Sequence, residues 1–258
     1  MQLQSKVAVV YGAAGAIGGA VARAFASEGA TVFLTGRTLA PVEAVADEIG
    51  SAQAAEVDAL DERAVDEHLR SVVEQAGRVD ISFNAIGIPD AEILGVPFVD
   101  LDVERFAEPI RDYTTSYFLT ARLAARHMIR SGSGVIMTVS AVPARTGTPL
   151  NGGYGPAQAA REALTRDLSM ELAPHGIRVV ALRPHGLPET STMRELFDAK
   201  RRGAMTWEEF EDFLAGSSHP RRVQRLQEVA NAAVLVASDG ASGLTGTTVN
   251  LTMGTTSD

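Results

Sequence analysis

The sequence predicts an α/β protein: a doubly wound parallel sheet with helices on both faces, three layers deep. Two observations carry that expectation. Short β-branched runs alternate with alanine- and glutamate-rich helical stretches along most of the chain, which is the rhythm of βαβ units. The same runs are near-continuously apolar instead of alternating, as strands covered on both faces must be.

The elements follow in order. K-V-A-V-V-Y (6–11) is a strand that runs into G-A-A-G-A-I-G-G, and the alanine-rich stretch after it reads as a helix stopped at Gly29. T-V-F-L-T-G-R (31–37) is the second strand, followed by a helix from Pro41 to Ile49, a strand at A-A-E-V-D (54–58) and a helix from Asp61 to Gln75. V-D-I-S-F-N-A-I (79–86) is a strand, Val103 to Met128 a long helix, and G-V-I-M-T-V-S (134–140) a strand. Tyr154 to Leu172 is a helix and I-R-V-V-A-L (177–182) a strand. Residues 187–222 break the rhythm: they are polar and largely helical, with T-W-E-E (206–209) resembling a capping box. Placed after a strand, at the carboxyl edge of the sheet, this segment is expected beside the ligand crevice as a lid. No proline- or serine-rich linker and no repeat divides the chain, so 1–258 reads as one domain carrying that insertion.

Composition narrows the function. With 45% hydrophobic and 21% charged residues, the chain can bury a sizeable core and is neither disordered nor membranous. No apolar run approaches the ~18 residues that span a bilayer, and Met1 to Val10 lacks the apolar core of a secretory signal, so a cytoplasmic location is expected. The absence of cysteine excludes disulfides and thiolate chemistry, and five scattered histidines offer no metal-binding spacing. A net charge of −9 disfavours nucleic acid and anionic membranes as partners and points to a small-molecule substrate.

Gly12, Gly15 and Gly18 follow the first strand and open the first helix, the context in which backbone N–H groups face a pyrophosphate. The alternative is a merely tight strand-to-helix turn. The second strand ends Leu34-Thr35-Gly36-Arg37, with no acid for a ribose 2′-hydroxyl but an arginine suited to a 2′-phosphate. That favours NADP(H) over NAD(H), the alternative for Arg37 being a solvated surface cation. Tyr154 and Gln158, at the start of a helix and spaced i, i+4, stack on one face.

Y-G-A-A-G-A-I-G (11–18), V-D-A-L-D (57–61), F-N-A-I-G (83–87), V-S-A (139–141) with Y-G-P-A-Q (154–158), and R-P-H-G-L-P-E-T (183–190) stand in an order that resembles the short-chain dehydrogenase/reductase family along essentially the whole chain. L-T-G-T-T-V-N-L (244–251) is similar to that family's last strand. The resemblance implies a Rossmann-like nucleotide fold. It assigns Gly12 and Gly18 to the cofactor turn, with Ala16 where a middle glycine is usual and Gly15 beside it. Asp58 matches the acid at the adenine, Asn84 the first asparagine after the fourth strand, and Thr190 the threonine at the nicotinamide amide. Ile17, Ala59 and Gly87 complete the implied cofactor contacts, together with Tyr154 and Gln158. The helices at 103–128 and 154–172 resemble the family's oligomer surface, implying a homo-oligomer, dimer or tetramer.

The implied catalytic set is incomplete. Ala141 stands at the family's serine position, with Ser140 one residue earlier and on the opposite strand face; Gln158 stands at the lysine and Tyr113 near the asparagine. Only Tyr154 is kept. Without an ammonium, a phenol is roughly 0.1% ionised at neutral pH, which penalises alcohol oxidation but leaves a neutral tyrosine able to donate a proton. The expected activity is therefore an NADP(H)-dependent reduction of a carbonyl, with Tyr154 as donor, helped by Tyr113, Ser140 or His185, and Gln158 bonding a ribose hydroxyl. The rival readings are an NADP-binding protein without turnover and, ranked last, a non-redox enzyme on the same fold. The aromatic residues Phe197, Trp207, Phe210 and Phe213 line the substrate pocket or form a small core of the insertion itself.

Overall fold

The computed structural model describes residues 1–88, 93–200 and 204–257. Its first half runs β1 (Val7–Tyr11), α1 (Ala16–Ser27), β2 (Thr31–Gly36), α2 (Leu39–Ile49), β3 (Gln53–Glu56), α3 (Glu62–Ala76) and β4 (Ile81–Asn84). The second half runs α4 (Val103–Ser131), β5 (Gly134–Val139), α5 (Tyr154–Leu172), β6 (Ile177–Pro184), α6 (Ser191–Lys200), α7 (Trp207–Ser217), α8 (Leu226–Ala237) and β7 (Thr247–Leu251). All seven strands are parallel, in the order β3-β2-β1-β4-β5-β6-β7. This is the Rossmann-like three-layer α/β/α fold expected from the sequence.

Side chains alternate across the sheet as period-2 geometry demands. In β1, Ala8 and Val10 join a core beneath α1, α2 and α8, with Phe25, Val42 and Val234. Val7, Val9 and Tyr11 join the opposite core beneath α3, α4 and α5, with Leu69, Tyr117 and Leu168. Burial on both faces explains why β1 is apolar throughout.

Strand order reverses between β1 and β4, so the chain leaves these two neighbours in opposite directions and opens a crevice at their carboxyl ends. Gly12 shapes that opening. Its φ of +77° is a left-handed conformation, and a Cβ there would lie 2.8 Å from the Ala85 carbonyl oxygen. A close approach of a second kind sets the start of α5. A Cβ on Gly153 would overlap the carbonyl oxygen of Phe106 in α4, so only glycine lets α5 begin against that helix.

Several boundaries differ from the sequence reading. β4 is shorter than 79–86, and α4 continues past Met128 to a left-handed cap at Gly132. α8, which covers the sheet with Val229, Ala230 and Ala233, lies in a stretch the sequence reading left unassigned. The capping box at Thr206 and Glu209 is present, with both reciprocal bonds made. Among the described residues no helix is long and apolar enough to cross a membrane.

Candidate active site

The crevice at the reversal point divides into two stretches. The outer one, about 410 Å³, is lined by Gly12, Gly15, Arg37, Asp58, Ala59 and Gly87. The inner one, about 190 Å³, continues past Gly15, Ala16 and Ile17 to Tyr154, Gln158 and Thr190. Gly87 and Tyr113 line both. Gly18 and Asn84 lie beneath the crevice instead of in it: both are buried, and a Cβ on Gly18 would strike the Gly12 carbonyl that shapes the turn.

The shape suits a dinucleotide. A Cβ at Gly87 would meet nothing within 4 Å, and one at Gly15 only the Gly12 oxygen at 3.3 Å, so both glycines leave open space where larger residues would fill the crevice. Gly15 is also the N-cap of α1, in extended conformation, which turns the first N–H groups of that helix toward the opening. Arg37 is exposed at the outer rim, and Asp58 accepts the Leu60 N–H at 3.0 Å. Thr190 donates to the Leu187 carbonyl at 2.8 Å and accepts the Met193 N–H at 3.2 Å, which anchors the start of α6 over the inner stretch.

Tyr154 sits at the first turn of α5, its ring 5.9 Å from that of Tyr113 on α4 and at 77° to it. Tyr113 is buried, and its hydroxyl accepts the Ile88 N–H at 3.1 Å. Gln158 is buried one turn along α5 from Tyr154. Two turns along lies Arg161, 2% exposed, with its guanidinium carbon 5.1 Å from the centroid of the Tyr113 ring. Its Nη2 donates to Asn84 Oδ1 (3.0 Å) and Thr138 Oγ1 (2.6 Å), and Nη1 reaches Gln158 Oε1 at 3.4 Å. Asn84 and Thr138 are neighbours across the β4–β5 ladder, so the guanidinium ties α5 to both strands directly under the crevice.

Beyond Tyr154 a second cavity of about 360 Å³ opens. Its lining is mainly apolar, including Val142, Pro143, Leu196, Phe210, Phe213 and Leu214. Tyr154 and His185 line both this cavity and the inner crevice. The four aromatic residues of the insertion divide between the two roles expected for them. Phe197 and Trp207 pack against each other and against Phe210, with centroids 5.3–5.6 Å apart, while Phe210 and Phe213 face the cavity.

A family model described as enoyl-(acyl carrier protein) reductase matches residues 12–256. The chain is 30% identical over 258 residues to the 3-oxoacyl-[acyl-carrier-protein] reductase FabG of Escherichia coli, covering 98% of each. Its fold matches the crystal structure of an NAD⁺-bound xylitol dehydrogenase with a TM-score of 0.88 at 26% identity, over 97% of this chain and 99% of that one. It matches a 3-ketoacyl-(acyl-carrier-protein) reductase from Brucella melitensis complexed with NADH with a TM-score of 0.87 at 28% identity, over 98% and 99%.

The chain belongs to the short-chain dehydrogenase/reductase family.

Within that family of oxidoreductases, two of the proton donors suggested by the sequence are committed elsewhere in this structure. Ser140 is buried and its hydroxyl donates to Glu162 Oε1 at 2.7 Å. Glu162 also accepts from Arg183 Nε (2.7 Å) and Nη2 (2.9 Å) and pairs with Arg145 at 3.3 Å. The serine proton therefore belongs to a buried ion pair. The Ser217 hydroxyl lies 2.7 Å from the Leu214 carbonyl and 2.9 Å from His185 Nε2, which holds the imidazole against α7. Burial holds the His185 imidazole below its ordinary range. Of the two roles the sequence leaves open for His185, a loop residue or a replacement acid, this engagement with Ser217 fits the first.

Arg161, which also lines the inner crevice, is a residue that sequence reasoning missed although the signal was present: Tyr154, Gln158, Arg161 and Thr165 recur at helical spacing on one face of α5. Arginine at such a position ordinarily reads as a solvated face, because arginine is rarely buried without an acid.

Proposed function

We propose that this protein is an NADP(H)-dependent carbonyl reductase in which Tyr154 donates the proton to the substrate oxygen. One observation carries the reading: Tyr154 lines both the inner crevice and the apolar cavity, which supports its hydroxyl acting where a nicotinamide ring and a substrate would meet. A reduced nicotinamide held there supplies a hydride to the carbonyl carbon. The protein's own residues do the rest. The α1 N-terminus and Gly12, Gly15 and Gly87 accommodate the pyrophosphate and ribose, Ile17 and Thr190 border the nicotinamide, and Gln158 orients a ribose hydroxyl.

Arg37 is read as the selector of the 2′-phosphate. It is exposed at the rim of the outer crevice and makes no hydrogen bond or ion pair among the described residues, which leaves its guanidinium available for a bidentate contact. Asp58 and Ala59 border the adenine side of the same stretch. The substrate is read as a small, largely apolar carbonyl compound, because a cavity of about 360 Å³ walled by Phe210, Phe213, Leu196 and Leu214 offers few polar partners. The segment 187–222, of which 201–203 lie outside the described residues, acts as the lid over that cavity through α6 and α7. Exposed Phe118 on α4 and Met170 on α5 fit a homo-oligomeric surface.

The test is a fluorescence titration of the purified, nucleotide-free protein with NADPH and NADH, repeated on Arg37→Ala, followed by NADPH consumption against a panel of aliphatic and aromatic ketones and aldehydes. The reading expects tighter binding of NADPH, a preference reduced at least tenfold in the variant, and turnover on members of the panel. Equal affinity for the two nucleotides removes the assignment of Arg37, and tight binding with no turnover on any carbonyl removes the reductase.

A further inference from the structure

Arg161 is a cation without an anion. It is 2% exposed, yet its partners are the neutral groups of Asn84, Thr138 and Gln158, and among the described residues no carboxylate pairs with it. Its Nε is buried with no hydrogen-bond partner. The acid next to it in sequence, Glu162, is turned to Ser140, Arg183 and Arg145 on the other side of the helix. Removing an ion from water is costly unless opposite charge or a full set of hydrogen bonds compensates. A fold that keeps this charge uncompensated is arranged for negative charge to arise beside it.

The groups able to carry that charge can be named element by element. From α4, Tyr117 is fully buried and pushed up to about 12 by burial, with its hydroxyl 3.1 Å from Thr165 Oγ1. Tyr113, also from α4, has its ring against the guanidinium and its hydroxyl on the Ile88 N–H. β4 and β5 contribute only the neutral Asn84 and Thr138. His185 follows β6, and burial holds its imidazole below the ordinary range. From α5 itself comes Tyr154, whose ring meets the edge or face of Tyr113 and which alone of the tyrosines borders both the crevice and the substrate cavity. Burial holds the Arg161 guanidinium below its usual range, and Tyr113, Tyr154 and Tyr117 pull it back up. An arginine remains charged throughout.

We propose that Arg161 is the resident cation of this active site, a positioning residue that stabilises the phenolate of Tyr154 across the Tyr113 ring and fixes the Gln158 carboxamide. The inference rests on the reading of Tyr154 as proton donor and deepens it. In reduction, the Tyr154 O–H bond breaks, its proton forms the new O–H of the alcohol, and the electron pair left on Oη is stabilised by Arg161 until solvent returns a proton. In the reverse reaction the same phenolate takes the proton of the alcohol. The loss of lysine at position 158 therefore does not restrict the site to reduction.

The chain has four tyrosines, which makes a direct test practical. Burial pushes Tyr11 above its ordinary range and Tyr117 to about 12, so neither contributes to a step below the free value. The near-ultraviolet tyrosinate titration of the protein, without nucleotide or substrate, is compared with that of Tyr154→Phe; the difference is the Tyr154 step. It is expected roughly one unit or more below the value of about 10 for a free phenol, to persist in Arg161→Lys, and to rise by roughly one unit, tenfold in the ionisation constant, in Arg161→Met. Circular dichroism verifies that each variant is folded. A wild-type step at or above about 10, or a step unmoved in folded Arg161→Met, overturns the proposal. If Arg161→Met does not fold, the wild-type step decides alone. Turnover enters neither measurement, so a depressed step in a protein that reduces no carbonyl would leave Arg161 in place and remove the reductase instead.

Discussion

Replacing Glu162 by leucine tests the buried network that holds the floor of the site. Glu162 and Arg183 are 2% and 1% exposed, and the carboxylate takes two N–H bonds from the guanidinium and the proton of Ser140. The substitution removes these three contacts and the ion pair with Arg145, and leaves a buried cation facing a leucine. Breaking a buried ion pair from one side costs about 3–5 kcal/mol. In a chain of this length each 1 kcal/mol lowers the melting midpoint by about 2–4 °C, so a fall of roughly 6–20 °C is expected. Glu162→Leu/Arg183→Met, which removes both charges and keeps the volume apolar, should recover most of that loss. Urea and thermal denaturation of wild type and the single and double variants measure it. A single variant within about 1 kcal/mol of wild type would refute the reasoning, because mutational noise at surfaces is of that order; so would a double variant no more stable than the single one.

Two further outcomes follow from the same structure. His68 on α3 is pushed down to about 4 by burial, against 6.5 for the free imidazole. Its folded value lies below its unfolded value, so the unfolded chain binds the extra proton: stability is intact above about 6.5 and declines as pH falls toward 4, by on the order of 3 kcal/mol in all. His68→Gln should flatten that part of the stability profile, and an unchanged slope between those values would show that the group is not buried in this way. Gln158→Lys restores an ammonium at a position already within 3.4 Å of Arg161. Two buried like charges should destabilise the protein by several kcal/mol, with recovery in Gln158→Lys/Arg161→Met; a stable single variant would argue that Arg161 does not stand buried against position 158.

How much of this was legible depends on which physical signal each residue carries. The parallel sheet was legible because Val7–Tyr11 and Gly134–Val139 are buried on both faces and carry no polar alternation. The start of α5 at Tyr154 was legible as well, and so was the capping box at Thr206. Strand ends were less so: the apolar run at 79–86 extends past the ladder, which stops where Asn84 turns its side chain to Thr120 and Arg161. The partner of Ser140 could not be read, since Glu162 is a buried acid among residues that resemble a solvated helix surface. Arg161 is the same problem with the opposite sign. Buried charges depend on neighbours from β4, β5 and α4 that are remote in sequence, and helical spacing alone does not identify them.

The central claim, that Tyr154 donates the proton in carbonyl reduction, is tested most directly by steady-state turnover of Tyr154→Phe beside wild type, with NADPH affinity measured on both. Phenylalanine keeps the ring that packs at 5.9 Å against Tyr113 and removes only the hydroxyl. The account predicts unchanged nucleotide binding and a fall in kcat of about 10²–10⁴, the usual contribution of a general acid. Turnover equal to wild type, with binding intact, would contradict it.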